Sequence, residues 1–241
     1  GVDIQIVFCN RTVGTNFKVN NIASAIIKAD FEILLIADSD IQVSPNYLQQ
    51  IVQPLANAQI GVVTCPYRSV ADGWITQIEA LSIATEFQPG VFVSSQLEGT
   101  KFAMGSTILI RQSVLSAIGG FSAIANYLAD DFQIGHLATQ AGYEVALSPY
   151  VVNHVLAVGT LADSFHRQTR WMRGIRISRP WGYAGLLLTY GTVTSSLFLL
   201  LTGLSILGWI VFSIVLTTRL VMAWIIGVNY LNDSVAKRLI W

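Results

Sequence analysis

Charge is scarce in this chain. Only 12% of its 241 residues are Asp, Glu, Lys or Arg, against about a quarter in ordinary globular proteins. The 14 basic and 14 acidic residues cancel, which excludes any overall attraction to nucleic acid. Cysteine is nearly missing. Cys9 and Cys65 lie at the ends of apolar runs, form neither a metal spacing nor a disulfide framework, and read as small core residues. Of the three histidines, His136 and His154 have no metal spacing and His166 reads as a surface residue. Nothing at the start of these residues resembles a signal peptide, and they contain no internal repeat or low-complexity tract. The abrupt start at Gly1-Val2-Asp3 and the abrupt end at Ile240-Trp241 read as the ends of a fragment.

What the chain does have is apolar residues, at 53%, unevenly spread. Between Gly182 and Asn232 the only charged residue is Arg219. That length holds two membrane spans of roughly 20 residues each, expected at Ala184–Gly203 and Ser205–Val228 with a tight link through Gly203-Leu204-Ser205. Arg219 belongs near the interface or against protein, because a charge is costly at the bilayer centre. Arg173, Arg176 and Arg179 precede the first span, and Lys237 and Arg238 follow the second. Flanking basic residues stay cytosolic, so both ends are expected on that side of a multi-pass protein.

Residues before 181 alternate between strand and helix patterns. Strands are predicted at Ile4–Cys9, Ile33–Ala37, Ile60–Cys65, Thr107–Ile110, Val145–Leu147 and Val151–Val155. Helices are predicted at Lys18–Ala29, Pro45–Asn57, Trp74–Phe87, Gln112–Ile118 (stopped by Gly119-Gly120), Asp130 to about Gly142, and Asp163–Ser178, which Pro180 ends. A glycine-bearing loop is expected over Gln96–Ser106, around Lys101. The first strand, helix and second strand form a βαβ unit, which requires a parallel sheet. The class is therefore α/β, with a domain over 1–180 and a membrane region over 181–241.

Three stretches carry chemistry. The run Leu34–Ala37 ends in Asp38-Ser39-Asp40, which delivers two carboxylates to the carboxyl edge of a sheet. Such a pair suits a hard divalent cation that clamps a diphosphate, although Asp and Ser also favour turns and caps. Asp130-Asp131 opens a helix. One carboxylate serves the helix N-terminus, and the other is left as a candidate general base for a hydroxyl. Finally, arginines recur at 167, 170, 173, 176 and 179. The last three suit lipid headgroups, whereas Arg167 and Arg170, flanking Trp171, are placed to meet a diphosphate.

Asp-x-Asp after a strand, Ala-Asp-Asp before a helix, and Arg-x-x-Arg-Trp before membrane spans occur here in that order. The chain thus resembles the inverting membrane glycosyltransferases of GT-A fold, which have a partial Rossmann-like domain. Val13-Gly14-Thr15-Asn16-Phe17-Lys18-Val19-Asn20-Asn21, Gly119-Gly120-Phe121 and Tyr127–Phe132 make it similar in particular to glycosyltransferase family 21, the ceramide glucosyltransferase family. The resemblance implies a divalent cation, Mg²⁺ or Mn²⁺, on Asp38 and Asp40. It implies donor contacts from Asp38, Asp130, Lys18 and Asn21, and Asp131 as the base. It gives Arg167, Arg170 and Trp171 to the leaving diphosphate and the acceptor. The implied partners are UDP-glucose, a ceramide-like lipid and the membrane, with the active site on the cytosolic face. The family's uridine-contacting aspartate has no counterpart in these residues, so the chain alone is expected to be inactive. A polysaccharide synthase of the cellulose or hyaluronan type and a catalytically dead membrane scaffold are the alternatives.

Overall fold

The computed structural model describes residues 4–239. Gly1–Asp3 and Ile240–Trp241, the ends read as those of a fragment, lie outside the described residues. The chain forms two units that do not follow a boundary at residue 180. The first comprises the chain up to Pro66 together with Ser94–Val152; the second comprises Tyr67–Val93 and Asn153 onward. Segments expected in one N-terminal domain are thus shared between both.

The first unit is built on four strands, β1 (Ile33–Ala37), β3 (Ile60–Thr64), β5 (Thr107–Arg111) and β6 (Glu144–Leu147), in the order β1-β5-β3-β6. A two-residue strand, β2, lies at Ile41–Gln42. Leu34 and Ile36 of β1 point inward while Leu35 and Ala37 are exposed, the alternation of a strand with one wet face. The central strands β3 and β5 are buried almost throughout, as their unbroken apolar runs require. Val62, Ile108 and Ile110 join Val19 of α1 (Phe17–Ala25), Val114 of α5 (Gln112–Ala117) and Ile134 of α6 (Asp130–Gln140) in one core. Each is fully or almost fully buried, a contribution of about 1.5–3 kcal/mol for side chains of this size.

The expected βαβ unit is not formed. Ile4–Cys9 is irregular, with Ile4, Ile6 and Phe8 more than 80% exposed, and no strand among the described residues pairs with it. Cys9, expected in the core, is exposed, while Cys65 is buried. The sheet is mixed rather than parallel. β3 and β6 are parallel, but β5 runs antiparallel to both β1 and β3. The predicted helix at Pro45–Asn57 is split into α2 (Tyr47–Ile51) and a 3-10 turn (Gln53–Ala56).

In the second unit, α3 (Trp74–Ser82) runs through a π-helical turn (Ile83–Phe87) into α4 (Gln88–Glu98), whose residues from Ser94 belong to the first unit. The helix therefore extends past the predicted stop at Phe87 and shortens the Gln96–Ser106 loop. Pro89 lies inside this continuous helix, directly after the π-helical turn. β4 (Tyr67–Val70), which has no clear sequence signal, pairs with β7 (Val152–Val155). The basic helix α7 (Leu161–Ser178) starts at a capping box between Thr160 and Asp163. Pro180 does break it, but then serves as the first residue of α8 (Pro180–Thr189).

The two expected spans differ in form. Ile206–Tyr230, comprising α10 (Ile206–Ala223) and a π-helical end, is long and apolar enough to cross a membrane, with mean hydropathy 2.0. The other is not one helix. Pro180–Leu186 and α9 (Gly191–Leu201) meet at 46°, because Tyr190 leaves the helical region at ψ 55°. Gly203 and Leu204, both at positive φ, and the Ser205 N-cap form the tight link that the sequence predicts. Arg219 faces protein, bonded to Thr189 O and paired with Glu86.

Candidate active site

The pairing register of β1 creates the site. Ala37 lies opposite Thr107, so Asp38, the next residue, comes beside the turn Met104–Thr107. That turn is pinned from below by Thr64. Its hydroxyl accepts from Met104 N–H at 2.8 Å and donates to Thr107 O at 2.9 Å. At its tip, Gly105 N–H donates to Asp131 Oδ2 at 2.9 Å. The other Asp131 oxygen accepts from Phe132 N–H at 2.8 Å, an N-terminal helix bond of the kind carboxylates favour. Gly135, one turn further along α6, allows this approach. A Cβ there would come within 2.3 Å of the Phe102 carbonyl carbon, so any side chain would push α6 off the turn.

Lys18 enters from α1. Asn16 caps that helix, accepting from Lys18 N–H and Val19 N–H. The Asn16 amide also donates to Tyr127 O at 2.8 Å and to Asp130 Oδ1 at 3.3 Å, which ties α1 to the start of α6. Lys18 Nζ then lies 2.7 Å from Asp38 Oδ1 and 3.7 Å from Asp130 Oδ2. The space these groups face is left open by Gly105. A methyl group there would sit 3.1 Å from Asp38 Oδ2, 3.2 Å from Asp131 Oδ2 and 3.4 Å from Lys18 Nζ.

The electrostatics follow from this crowding. Burial pushes the Asp131 carboxyl above its ordinary value and the neighbouring Asp130 charge adds to the shift; the N–H bonds from Phe132 and Gly105 and the Lys18 charge offset only part of it. Burial alone would lower the Lys18 ammonium, but the charges of Asp130, Asp38 and Asp131 outweigh it and raise it. In contrast, burial raises the Cys65 thiol to about 11, which leaves it a protonated, unreactive core residue.

Of the sequence-predicted residues, Lys18, Asp38, Asp130 and Asp131 are brought together in this unit. Asp40 and Asn21 are exposed. Among the described residues no group of three or more His, Cys, Asp or Glu side chains has a metal-binding arrangement. The donors at the Gly105 space fit a hard cation nonetheless. They are carboxylate oxygens of Asp38 and Asp131.

The arginine motif lies in the second unit, on α7. Arg167 is committed to a partner the sequence did not reveal. Its Nη2 and Nε reach Glu79 at 2.6 and 3.1 Å, and Ser164 Oγ donates to the same carboxylate. Glu79 is almost fully buried on α3. Trp171, one turn on, packs against Ala80, Ile83, Leu156 and Val235, and Arg170 is exposed. Glu79 sits within a helical apolar pattern and gives no local signal. Asn16, also missed as a site residue, does carry a signal, an Asn before a helix; Gly105, missed as well, carries none that marks a site.

A family model described as glycosyl transferase family 21 matches residues 1–241. Ceramide glucosyltransferase 1 of Caenorhabditis elegans is 27% identical over 174 residues, which covers 71% of this chain and 37% of that protein. Ceramide glucosyltransferase 3 of the same organism is 24% identical over 174 residues, covering 71% and 38%. The chain thus spans less than two-fifths of the length of these relatives. Among solved structures, it overlaps glucosyl-3-phosphoglycerate synthase from Mycobacterium tuberculosis in complex with Mn²⁺ and UDP-Glc. The TM-score is 0.38 at 15% identity, covering 67% of this chain and 54% of that one, a likeness too loose to bear on the site. The match along its whole length places this chain in glycosyl transferase family 21.

Proposed function

We propose that the protein is a membrane-bound inverting glycosyltransferase of GT-A type that moves glucose from UDP-glucose to the hydroxyl of a ceramide-like lipid. The observation that carries this is the meeting of Asp38, Lys18 and Asp131 around the open space at Gly105. Family membership and the names of the two relatives support the sugar and the acceptor.

Asp131 acts as the base. Its carboxylate takes the proton of the acceptor hydroxyl as that oxygen bonds to the anomeric carbon. The bond from that carbon to the diphosphate oxygen breaks in the same displacement, so the configuration inverts. A raised pKa suits a group that must accept a proton near neutral pH. Gly105 N–H holds the carboxylate in place. Lys18 offers an ammonium to the phosphate oxygens.

Asp38 would hold Mg²⁺ or Mn²⁺ on its open oxygen, with the donor diphosphate completing the coordination, and Asp40 remains the second proposed ligand. When bound, the cation would neutralise charge on the departing diphosphate. The roles of Arg170 and Trp171 towards that diphosphate and the acceptor, and of Asn21 towards the donor, rest on the motifs alone. The apolar helix Ile206–Tyr230 and the arginines of α7 support a membrane location with the site on the cytosolic side.

The test is product analysis. Membranes containing the full-length protein, given labelled UDP-glucose and ceramide, should yield one labelled product that extracts with lipid. Label retained in a polymer would favour a polysaccharide synthase instead, and no transfer at all would favour the scaffold.

A further inference from the structure

Three carboxylates share one ammonium at the site. Lys18 Nζ is 2.7 Å from Asp38 Oδ1 and 3.7 Å from Asp130 Oδ2. It also borders, at 3.4 Å, the Gly105 space that Asp38 Oδ2 and Asp131 Oδ2 face at 3.1 and 3.2 Å. Asp130 is buried, and the Lys18 and Asp38 side chains are each little more than a third exposed, so water screens these charges only in part. With the carboxylates ionised, one positive charge against three negative ones leaves a deficit of two. That equals the charge of a single divalent cation.

We propose that Lys18 is a resident counter-ion that sets the charge of this cradle, pairing with Asp38 and competing with the divalent cation for it. The inference deepens the reading above and rests on its cation site. The lysine has two opposed effects. It weakens the cation alone, through like-charge repulsion and through its hold on Asp38. It strengthens the anionic diphosphate. Cation and nucleotide then favour arriving together, since the diphosphate draws the ammonium off Asp38 and frees an oxygen for the metal. A metal-loaded site without donor is correspondingly disfavoured.

The test is Mn²⁺ binding to the full-length protein in detergent, read from the electron paramagnetic resonance signal of free Mn²⁺, with and without UDP. Lys18→Met should bind Mn²⁺ alone at least about tenfold more tightly than wild type, the scale expected for removing a unit charge a few ångströms from a divalent ion. The same variant should bind UDP more weakly, so that UDP enhances Mn²⁺ binding less than in wild type. Lys18→Arg, which keeps the charge, should stay near wild type and guards against a folding defect in Lys18→Met. Mn²⁺ affinity that is equal or weaker in a folded Lys18→Met overturns the inference while leaving the cation site standing. No Mn²⁺ binding by any of the proteins, with or without UDP, overturns the cation site and the inference with it.

Discussion

At the scale of single residues, the proposed chemistry concentrates on Asp131. It accepts two backbone N–H bonds, yet burial beside Asp130 raises its pKa. In the proposed mechanism the working base is the carboxylate, so kcat/KM should rise with pH through that raised value. The acid limb should therefore fall above the ordinary aspartate pKa of about 3.9. Linkage gives stability the opposite sign. A carboxyl raised in the fold contributes stability below its unfolded pKa and loses it as pH rises through the folded value. Over the same window the thermal midpoint of the full-length protein should fall as kcat/KM climbs. An acid limb at or below the ordinary value would show that Asp131 is not the base. Asp38, Asp130 and Asp131 were legible in the sequence because carboxylates after a strand or at a helix start are exceptions to a simple pattern. Gly105 was not, because its contribution is a missing side chain, and a void is visible only once its neighbours are in place.

At the scale of elements, α7 is held to α3 by a buried ion pair rather than by apolar packing alone. Glu79 is 1% exposed and Arg167 24%. Replacing Arg167 with Met strands the Glu79 charge and should cost about 3 kcal/mol, the low end for a buried pair because the guanidinium keeps some water. Replacing both, Glu79→Met with Arg167→Met, should recover most of that in a denaturation midpoint. If Arg167 acts by positioning α7, turnover should return with stability. Stability without turnover would show that the guanidinium itself touches substrate. The strand and helix periods placed β1, β3, β5 and α6 closely. Ile4–Cys9 failed because alternation reports a possible strand but not a partner. The helix predicted to stop at Phe87 runs on to Glu98 with Pro89 inside it, next to a π-helical turn that no residue period announces. The order of the sheet was out of reach, because nothing local says that β5 inserts antiparallel between β1 and β3.

At the scale of the whole molecule, the chain forms two units. The family and its chemistry could be read from motifs because their order survives in one dimension. The two units could not, since Tyr67–Val93 leaves the first and joins residues sixty or more positions later. Nor could the bend at Tyr190, which turns one predicted span into a pair of helices. The account comes down to whether the carboxylate at the start of α6 performs sugar transfer to a lipid. The most direct measurement is the rate of label transfer from UDP-glucose to ceramide by full-length protein carrying Asp131→Asn, at matched folding and expression. Loss of a general base predicts a fall of about a hundredfold or more with UDP binding retained; turnover equal to wild type would contradict the account.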